Sequence, residues 1–169
     1  SSCQQDDYEY SNDTRPTYSP GSVLVTAKKH YPIDSVFKFI NSFNHRVHSI
    51  NRPTHVSGIS LDSLNYVLDN LQSKPYINEH SAYLNNRVTQ NKNKMALAIR
   101  LSNMNNTSFQ TDWLKTKNEL KLSVDTAASI SGFMIEFNVP VGEEEEWVHK
   151  FSDYDIVDHA TLNWLFYLN

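Results

Sequence analysis

The sequence predicts an α+β protein whose two halves fold as similar units, one after the other. Short β-branched runs typical of strands alternate with segments in which apolar residues recur at the helical spacing i, i+3, i+4. The order of elements in the first half returns in the second at a shift of about 77 to 80 residues. With 169 residues, of which 39% are hydrophobic, the chain is long enough to bury a substantial core.

The N-terminal segment, residues 1–20, is predicted to be a flexible tether. From residue 4 onward it is polar, contains Pro16 and Pro20, and shows neither the strand period nor the helix period among its apolar positions. A segment of this composition needs no fold of its own and can hold a domain away from a surface.

The first folded unit is predicted to occupy residues 21–90. A β-branched run opens it, a proline in the first turn starts one helix, and Ser60 is placed to cap another. The expected elements are a strand at 23–27, a helix after Tyr31-Pro32, an extended pair over 47–58, a helix over 61–71 and a strand over 76–84. Their helical apolar faces are Val36, Phe37, Ile40 and Phe43, and Leu61, Leu64, Val67, Leu68 and Leu71.

The second unit is predicted to occupy residues 91–169 and to repeat this order. The expected elements are a strand at 95–101, a helix bearing Trp113, Leu114, Lys117 and Leu120, an extended stretch over 128–139, a helix over 143–151 and a strand from Val157. The run Glu143 to Glu146 is interpreted as a solvated helix start, because carboxylates there favour the helix dipole.

Each unit then has the order strand, helix, extended pair, helix, strand. This is the βαββαβ order of a ferredoxin-like unit, an antiparallel sheet with both helices on one face. Two such units in tandem are the fold prediction. The alternative is a single larger α+β domain with one continuous sheet, in which edge-to-edge contact would hide two exposed strand edges.

Composition and motifs argue against several classes of function. The net charge of −4 leaves no basic surface for nucleic acid, and no apolar run approaches the length of a membrane span. A single cysteine excludes an intrachain disulfide, and the seven histidines, including His45, His48, His149 and His159, lack the spacing of a metal site. With no catalytic motif either, the chain is predicted to be neither an enzyme nor a carrier of a metal or cofactor.

The first seven residues carry two short motifs. Ser1-Ser2-Cys3 resembles the end of a bacterial lipobox, and Gln4-Gln5-Asp6-Asp7 resembles the acidic export signal of lipoproteins in the Bacteroidota. The resemblance implies that a signal peptide precedes Ser1 and that lipid on Cys3 anchors the protein at the outer face of the outer membrane. The alternative is an ordinary cysteine in a disordered tail.

The second half also contains a glycine-aromatic strand, Ile130-Ser131-Gly132-Phe133-Met134-Ile135-Glu136-Phe137, followed after a helix by Tyr154-Asp155-Ile156-Val157-Asp158-His159-Ala160. The pattern resembles the prodomains of subtilisin-type proteases, and Val56-Ser57-Gly58 with Lys74-Pro75-Tyr76-Ile77-Asn78-Glu79 is a weaker match in the first half. The resemblance implies a ferredoxin-like inhibitor and a protein partner, a subtilisin-like protease. The chain departs from the family because it has two units and no protease follows.

In that family the C-terminal residues of the prodomain lie in the substrate cleft. The resemblance makes the apolar end of this chain a candidate partner-binding segment, able to bind as an extended strand. The residues are Trp164, Leu165, Phe166, Tyr167, Leu168 and Asn169. The alternative is that this segment is simply a buried edge or central strand.

Two further alternatives concern the protein surface. Asp125-Thr126-Ala127 resembles an O-glycan acceptor of the Bacteroidota, which makes Thr126 a candidate modification site. Glycan capture is the rival function, and a structural or assembly role at the cell surface is a third. The tyrosines outside the tether that would serve a glycan platform are Tyr31, Tyr66, Tyr76, Tyr83 and Tyr154.

Overall fold

The computed structural model describes residues 17–78, 80–86, 89–90 and 93–165. Within these residues, four α-helices accompany two antiparallel four-stranded sheets, so the predicted α+β class is confirmed. The helices are α1 (Ile33–Asn41), α2 (Leu64–Gln72), α3 (Thr107–Glu119) and α4 (Glu144–Ser152). The strands are β1 (Thr17–Ala27), β2 (Val47–Asn51), β3 (His55–Ser57), β4 (Ala82–Leu84), β5 (Met95–Ile99), β6 (Leu122–Val124), β7 (Met134–Asn138) and β8 (Val157–Leu165).

The two sheets are nested along the chain. The first sheet has the order β2-β7-β1-β8 and takes its strands from both ends of the described chain. The second has the order β4-β5-β3-β6 and takes its strands from the middle. We call β1, α1, β2, β7, α4 and β8 the outer unit, and β3, α2, β4, β5, α3 and β6 the inner unit.

This pairing corrects the predicted division at residue 90. In a tandem arrangement β1 would pair only with strands that precede residue 90, but it pairs with β7, where Val25 faces Ile135, and with β8. The tandem arrangement is therefore not confirmed. The physical reason is side-chain burial. Val23 of β1 lies opposite Phe137 of β7, and both side chains are buried, so β1 completes its apolar surface with strands from the other end of the chain.

The folded region also begins earlier than the predicted tether allows. Thr17 and Tyr18 form the start of β1 and face Leu165 and Trp164 of β8. The register between β1 and β8 then shifts near Gly21, whose φ of +72 lies in the region that glycine tolerates best. Residues 17–20 are thus part of the outer sheet.

Both helices of the outer unit pack on one face of its sheet through a cluster of aromatic rings. The Phe137 ring from β7 stacks on Phe151 of α4 with centroids 4.4 Å apart. Phe39 of α1 and Phe43, just after that helix, meet Phe137 edge-on at 6.0 and 5.9 Å. The opposite face of the sheet carries half-buried Leu24, Glu136 and Thr161, which are register partners.

The two units share one buried core and are joined by a short backbone bridge. Ile50 of β2 and Leu101, just after β5, exchange two N–H to C=O hydrogen bonds of 2.9 and 2.8 Å. The Asn41 and Gln110 side chains add reciprocal amide hydrogen bonds of 3.1 and 2.8 Å. The edge of the outer sheet at β2 is therefore covered by the inner unit.

Candidate binding sites

The C-terminal strand contains the first two residues of the predicted partner-binding segment. Trp164 and Leu165 close β8 and are 39% and 40% exposed. The Trp164 ring meets Tyr18 edge-on at 5.9 Å, which holds the indole at the end of the sheet. The other members of that segment, Phe166, Tyr167, Leu168 and Asn169, lie outside the described residues.

The edge of β8 is the long open edge of the outer sheet. Across the described residues, β8 pairs with β1 on one side and with no strand on the other. It is nine residues long and contains neither proline nor lysine, the residues with which proteins commonly protect an edge. Its exposed charged or titratable side chains, Asp158 and His159, lie near its start. The second half of the strand therefore presents backbone donors and acceptors beside exposed apolar side chains.

The acidic run before α4 is partly a buried structural element. Glu144 is only 2% exposed, which corrects the interpretation of this run as a solvated helix start. Its carboxylate accepts hydrogen bonds from the Gly142 N–H at 2.8 Å and from the Gly21 N–H at 3.1 Å. The backbone N–H groups of Gly142, Glu144 and Gly21 hold the pKa of this carboxyl below its usual value.

Replacing Glu144 with glutamine is expected to lower the urea midpoint at pH 7. Because the pKa is depressed in the folded state, the stabilisation is present above the usual carboxyl pKa and is lost as pH falls through the folded pKa. The difference between wild type and Glu144→Gln should therefore shrink as pH falls below 4.5. Urea unfolding at pH 7 and in acid checks this, with the exposed neighbour substitution Glu145→Gln as control. Equal midpoint losses in the two variants would contradict the role of Glu144.

The histidines are dispersed among separate contacts. Nε2 of His48 lies 3.8 Å from Glu136, and Nδ1 of His159 lies 3.2 Å from Asp158. His45 packs edge-on against Trp147 at 4.2 Å, and desolvation lowers its pKa. In the part of the chain that is described, no three His, Cys, Asp or Glu side chains form a group suited to a metal ion.

The five tyrosines considered for a glycan platform differ in exposure, because Tyr31 is half buried, Tyr76 is buried and the other three are exposed. Tyr76 is fully buried, and its hydroxyl donates a 2.7 Å hydrogen bond to Asp112, so it is not available as a surface contact. Tyr66, Tyr83 and Tyr154 are exposed, and they lie on α2, on β4 and after α4. Glycan capture therefore remains a prediction without a continuous row of rings assigned to it.

Tyr83 borders a polar cleft of about 360 Å³ on the inner unit. Arg52, His80 and Arg100 also line it, and none of the described lining residues carries a carboxylate. Arg52 has a φ of 97, a conformation that is unusual for a residue with a side chain. It lies in the three-residue connection between β2 and β3, where the chain leaves the outer sheet for the inner one. A cleft of this composition favours an anionic group.

A second cleft, of about 280 Å³, lies where the chain crosses between the two units. We call it the junction cleft. It is lined by the β1–α1 connection, by His55 of β3, by Lys117 of α3, by β6 and by the segment that enters β7. Thr126, the predicted O-glycosylation site, is exposed at this cleft. The sequence does not reveal this cleft because its lining residues are far apart in the chain.

The predicted lipidation and export residues precede β1 in the sequence. Cys3, Gln4, Gln5, Asp6 and Asp7 lie outside the described residues. Of the helices that the structure describes, none combines the length and the apolar character needed to cross a membrane. Comparison of the chain with protein-family models, curated proteins and solved structures gives no match. The fold and these surfaces define an α+β protein with two antiparallel sheets, an open strand edge and surface clefts.

Proposed function

We propose that this chain is a non-enzymatic, surface-exposed lipoprotein that binds a protein partner, a subtilisin-type protease, through the C-terminal strand of its outer unit. The observation that carries the proposal is the open edge of β8. An edge of nine residues offers a row of backbone hydrogen-bonding groups to an extended segment of another protein.

The strand order of each unit supports a more specific description of the fold. Each unit has the chain order βαββαβ, and each sheet has its second, third, first and fourth strands in that spatial order. We infer that each unit is ferredoxin-like and that the inner one is inserted between the second and third strands of the outer one. The prodomain resemblance then belongs to the outer unit, because β7, α4 and β8 contain most of its residues.

Binding at the β8 edge would combine main-chain and side-chain contacts. The partner strand would take its hydrogen bonds from the outer edge, which supplies affinity without sequence specificity. Trp164 and Leu165 would supply specificity because they are large, apolar and half exposed at the same end of the strand. The Tyr18 ring behind Trp164 limits the rotation of the indole, which reduces the entropy lost on binding.

The proposed location follows from the N-terminal residues. Lipid on Cys3, followed by the acidic Gln4-Gln5-Asp6-Asp7, would place the protein at the outer face of the outer membrane, with the lipid as its contact to the membrane. The net charge of −4 favours a partner other than nucleic acid. Residues preceding β1 would connect the anchor to the outer unit.

The experiment is an inhibition and binding assay of the full chain against a panel of subtilisin-type proteases. We expect at least one member to be inhibited. The double substitution Trp164→Ser with Leu165→Ser should weaken that complex about 10-fold or more, which corresponds to about 1.4 kcal/mol. Affinity is measured by titrating the protease activity with each variant.

The matched control is Ile130→Ser, which removes a fully exposed apolar side chain at a distant loop. This variant should inhibit as well as the wild type. Absence of binding to every protease of the panel would reject the protease as partner. An equal loss in the β8 variant and the Ile130 variant would reject the β8 edge as the binding surface.

A further inference from the structure

The wall of the junction cleft contains a buried histidine between two aromatic rings. His55 is 7% exposed, and its Nδ1 makes no hydrogen bond to any described residue. Its ring lies between Trp113, at 6.2 Å, and Phe133, at 6.1 Å. His55 therefore contributes its ring to the wall, whereas its Nδ1, with less than 1 Å² of accessible surface, is out of reach of a molecule in the cleft.

Burial fixes the protonation state of this histidine. Desolvation lowers the pKa of His55 to about 4, although the nearby Pro53 carbonyl acts in the opposite direction. The ring is therefore neutral at pH 7 and has one nitrogen that donates and one that accepts. A neutral ring adds no charge to the cleft, so its lysines supply the positive charge.

The charges around the junction cleft are of one sign. Lys29 and Lys117 line it from the outer and inner units, and no aspartate or glutamate is among its described lining residues. The net charge of the chain is −4, so the charge at this cleft is opposite in sign to that of the whole chain. Such a surface attracts an anion, and more strongly where the walls exclude water.

The remaining walls are largely apolar. Ile33, Leu122 and Phe133 are buried side chains of the lining, and Tyr31 and Val124 are half buried. A volume of about 280 Å³ is at the small end of ligand pockets. The cleft therefore suits a compact molecule with an apolar body and one anionic group.

We propose that the junction cleft binds a small organic carboxylate, with its apolar body against Ile33, Val124 and Phe133 and its carboxylate toward Lys29 and Lys117. The same chemistry is present in a free aromatic or branched acid and in the C-terminal residue of a peptide. Because both units supply walls, the occupied cleft would also hold the units together. This site is independent of the β8 edge.

The test is a titration of the full chain with benzoate, followed by amide chemical shifts. Benzamide and benzylamine, a neutral and a cationic analogue of similar shape, are the comparison ligands. We expect benzoate to shift amides of Phe133 and Val124 and to bind about 10-fold tighter than either analogue. A peptide ending in phenylalanine and its C-terminal amide form a second arm, which distinguishes a peptide carboxylate from a free acid.

Two substitutions assign the polar contacts. Lys117→Gln should weaken benzoate about 10-fold, whereas Lys115→Gln, on the exposed side of the same helix, should leave it unchanged. Lys29→Gln removes the second positive charge of the lining and should also weaken binding. No shift up to about 10 mM benzoate, equal affinity for benzoate and benzamide, or equal effects of the Lys117 and Lys115 variants would each overturn the proposal.

Discussion

Replacing Gly132 with alanine is expected to lower the free energy of unfolding by about 3 kcal/mol. A Cβ at this position would lie 2.4 Å from the Ala27 carbonyl oxygen and 2.7 Å from the Lys28 carbonyl oxygen. Neither oxygen can move easily, because hydrogen bonds of 2.8 Å tie the Ala27 N–H to Phe133 and the Lys28 N–H to Ile156. The clash therefore falls on the end of β1, at the centre of the outer sheet.

Gly58 provides the matched control for this substitution. A Cβ there would lie 3.2 Å from the Cβ of Lys121, which requires a shift of only a few tenths of an ångström, whereas a Cβ at Gly132 would have carbonyl oxygens within 3.0 Å. Gly58→Ala should therefore change the free energy of unfolding by less than about 1 kcal/mol. Urea unfolding of both variants measures the difference. Similar losses of unfolding free energy in both variants would show that the close contacts around Gly132 are not the reason why alanine destabilises the protein there.

The four described helices and seven of the eight described strands could be predicted from sequence, but β6, which lies before the predicted extended stretch over 128–139, and the strand pairing could not. Periodicity placed the four described helices within a few residues of where they lie, because each has an apolar face set by local spacing. The chain order βαββαβ-βαββαβ, however, fits a tandem pair of sheets and a nested pair equally well. Local patterns carry no information on which strand lies beside β1, since that choice is made by packing between distant residues.

The short connection between β2 and β3 explains why the nested arrangement of the two sheets is not evident from the sequence. β2 and β3 look like two strands of one hairpin, because only three residues separate them. Arg52, with φ of 97, and Pro53 redirect the chain there, so β2 joins the outer sheet and β3 the inner one. A positive φ at an arginine has no sequence signature, unlike one at glycine or asparagine.

The same limit applies to the binding surfaces. The β8 strand and the apolar character of Trp164 and Leu165 could be predicted, because they are contiguous in sequence. The junction cleft could not, because His55, Lys117 and Phe133 each look like ordinary residues of a strand, a helix and a strand entry. The sequence predicts that Glu144 is solvated at a helix start, because it does not show that the Gly21 N–H approaches this carboxylate.

A core substitution in β7 is expected to have a comparably large effect and to test the nested pairing directly. Phe137 is fully buried, stacks on Phe151 at 4.4 Å and meets Phe39 and Phe43 edge-on. Phe137→Ala should lower the free energy of unfolding by about 4 kcal/mol, because it leaves a cavity between the sheet and both helices of the outer unit. Urea unfolding measures the loss, with Ile130→Ala at a fully exposed site as control.

Native-state hydrogen exchange of the Phe137→Ala variant distinguishes the two pairings. Val23 lies directly opposite Phe137 and Val25 opposite Ile135, so these two amides of β1 should lose protection first. Leu97 lies in the centre of the inner sheet. It would share a folded unit with Phe137 only if the chain divided at residue 90. Loss of protection at Leu97 while Val23 and Val25 stay protected would contradict the nested fold. The opposite pattern would show that the N-terminal and C-terminal ends of the described chain unfold as one unit around the inner sheet.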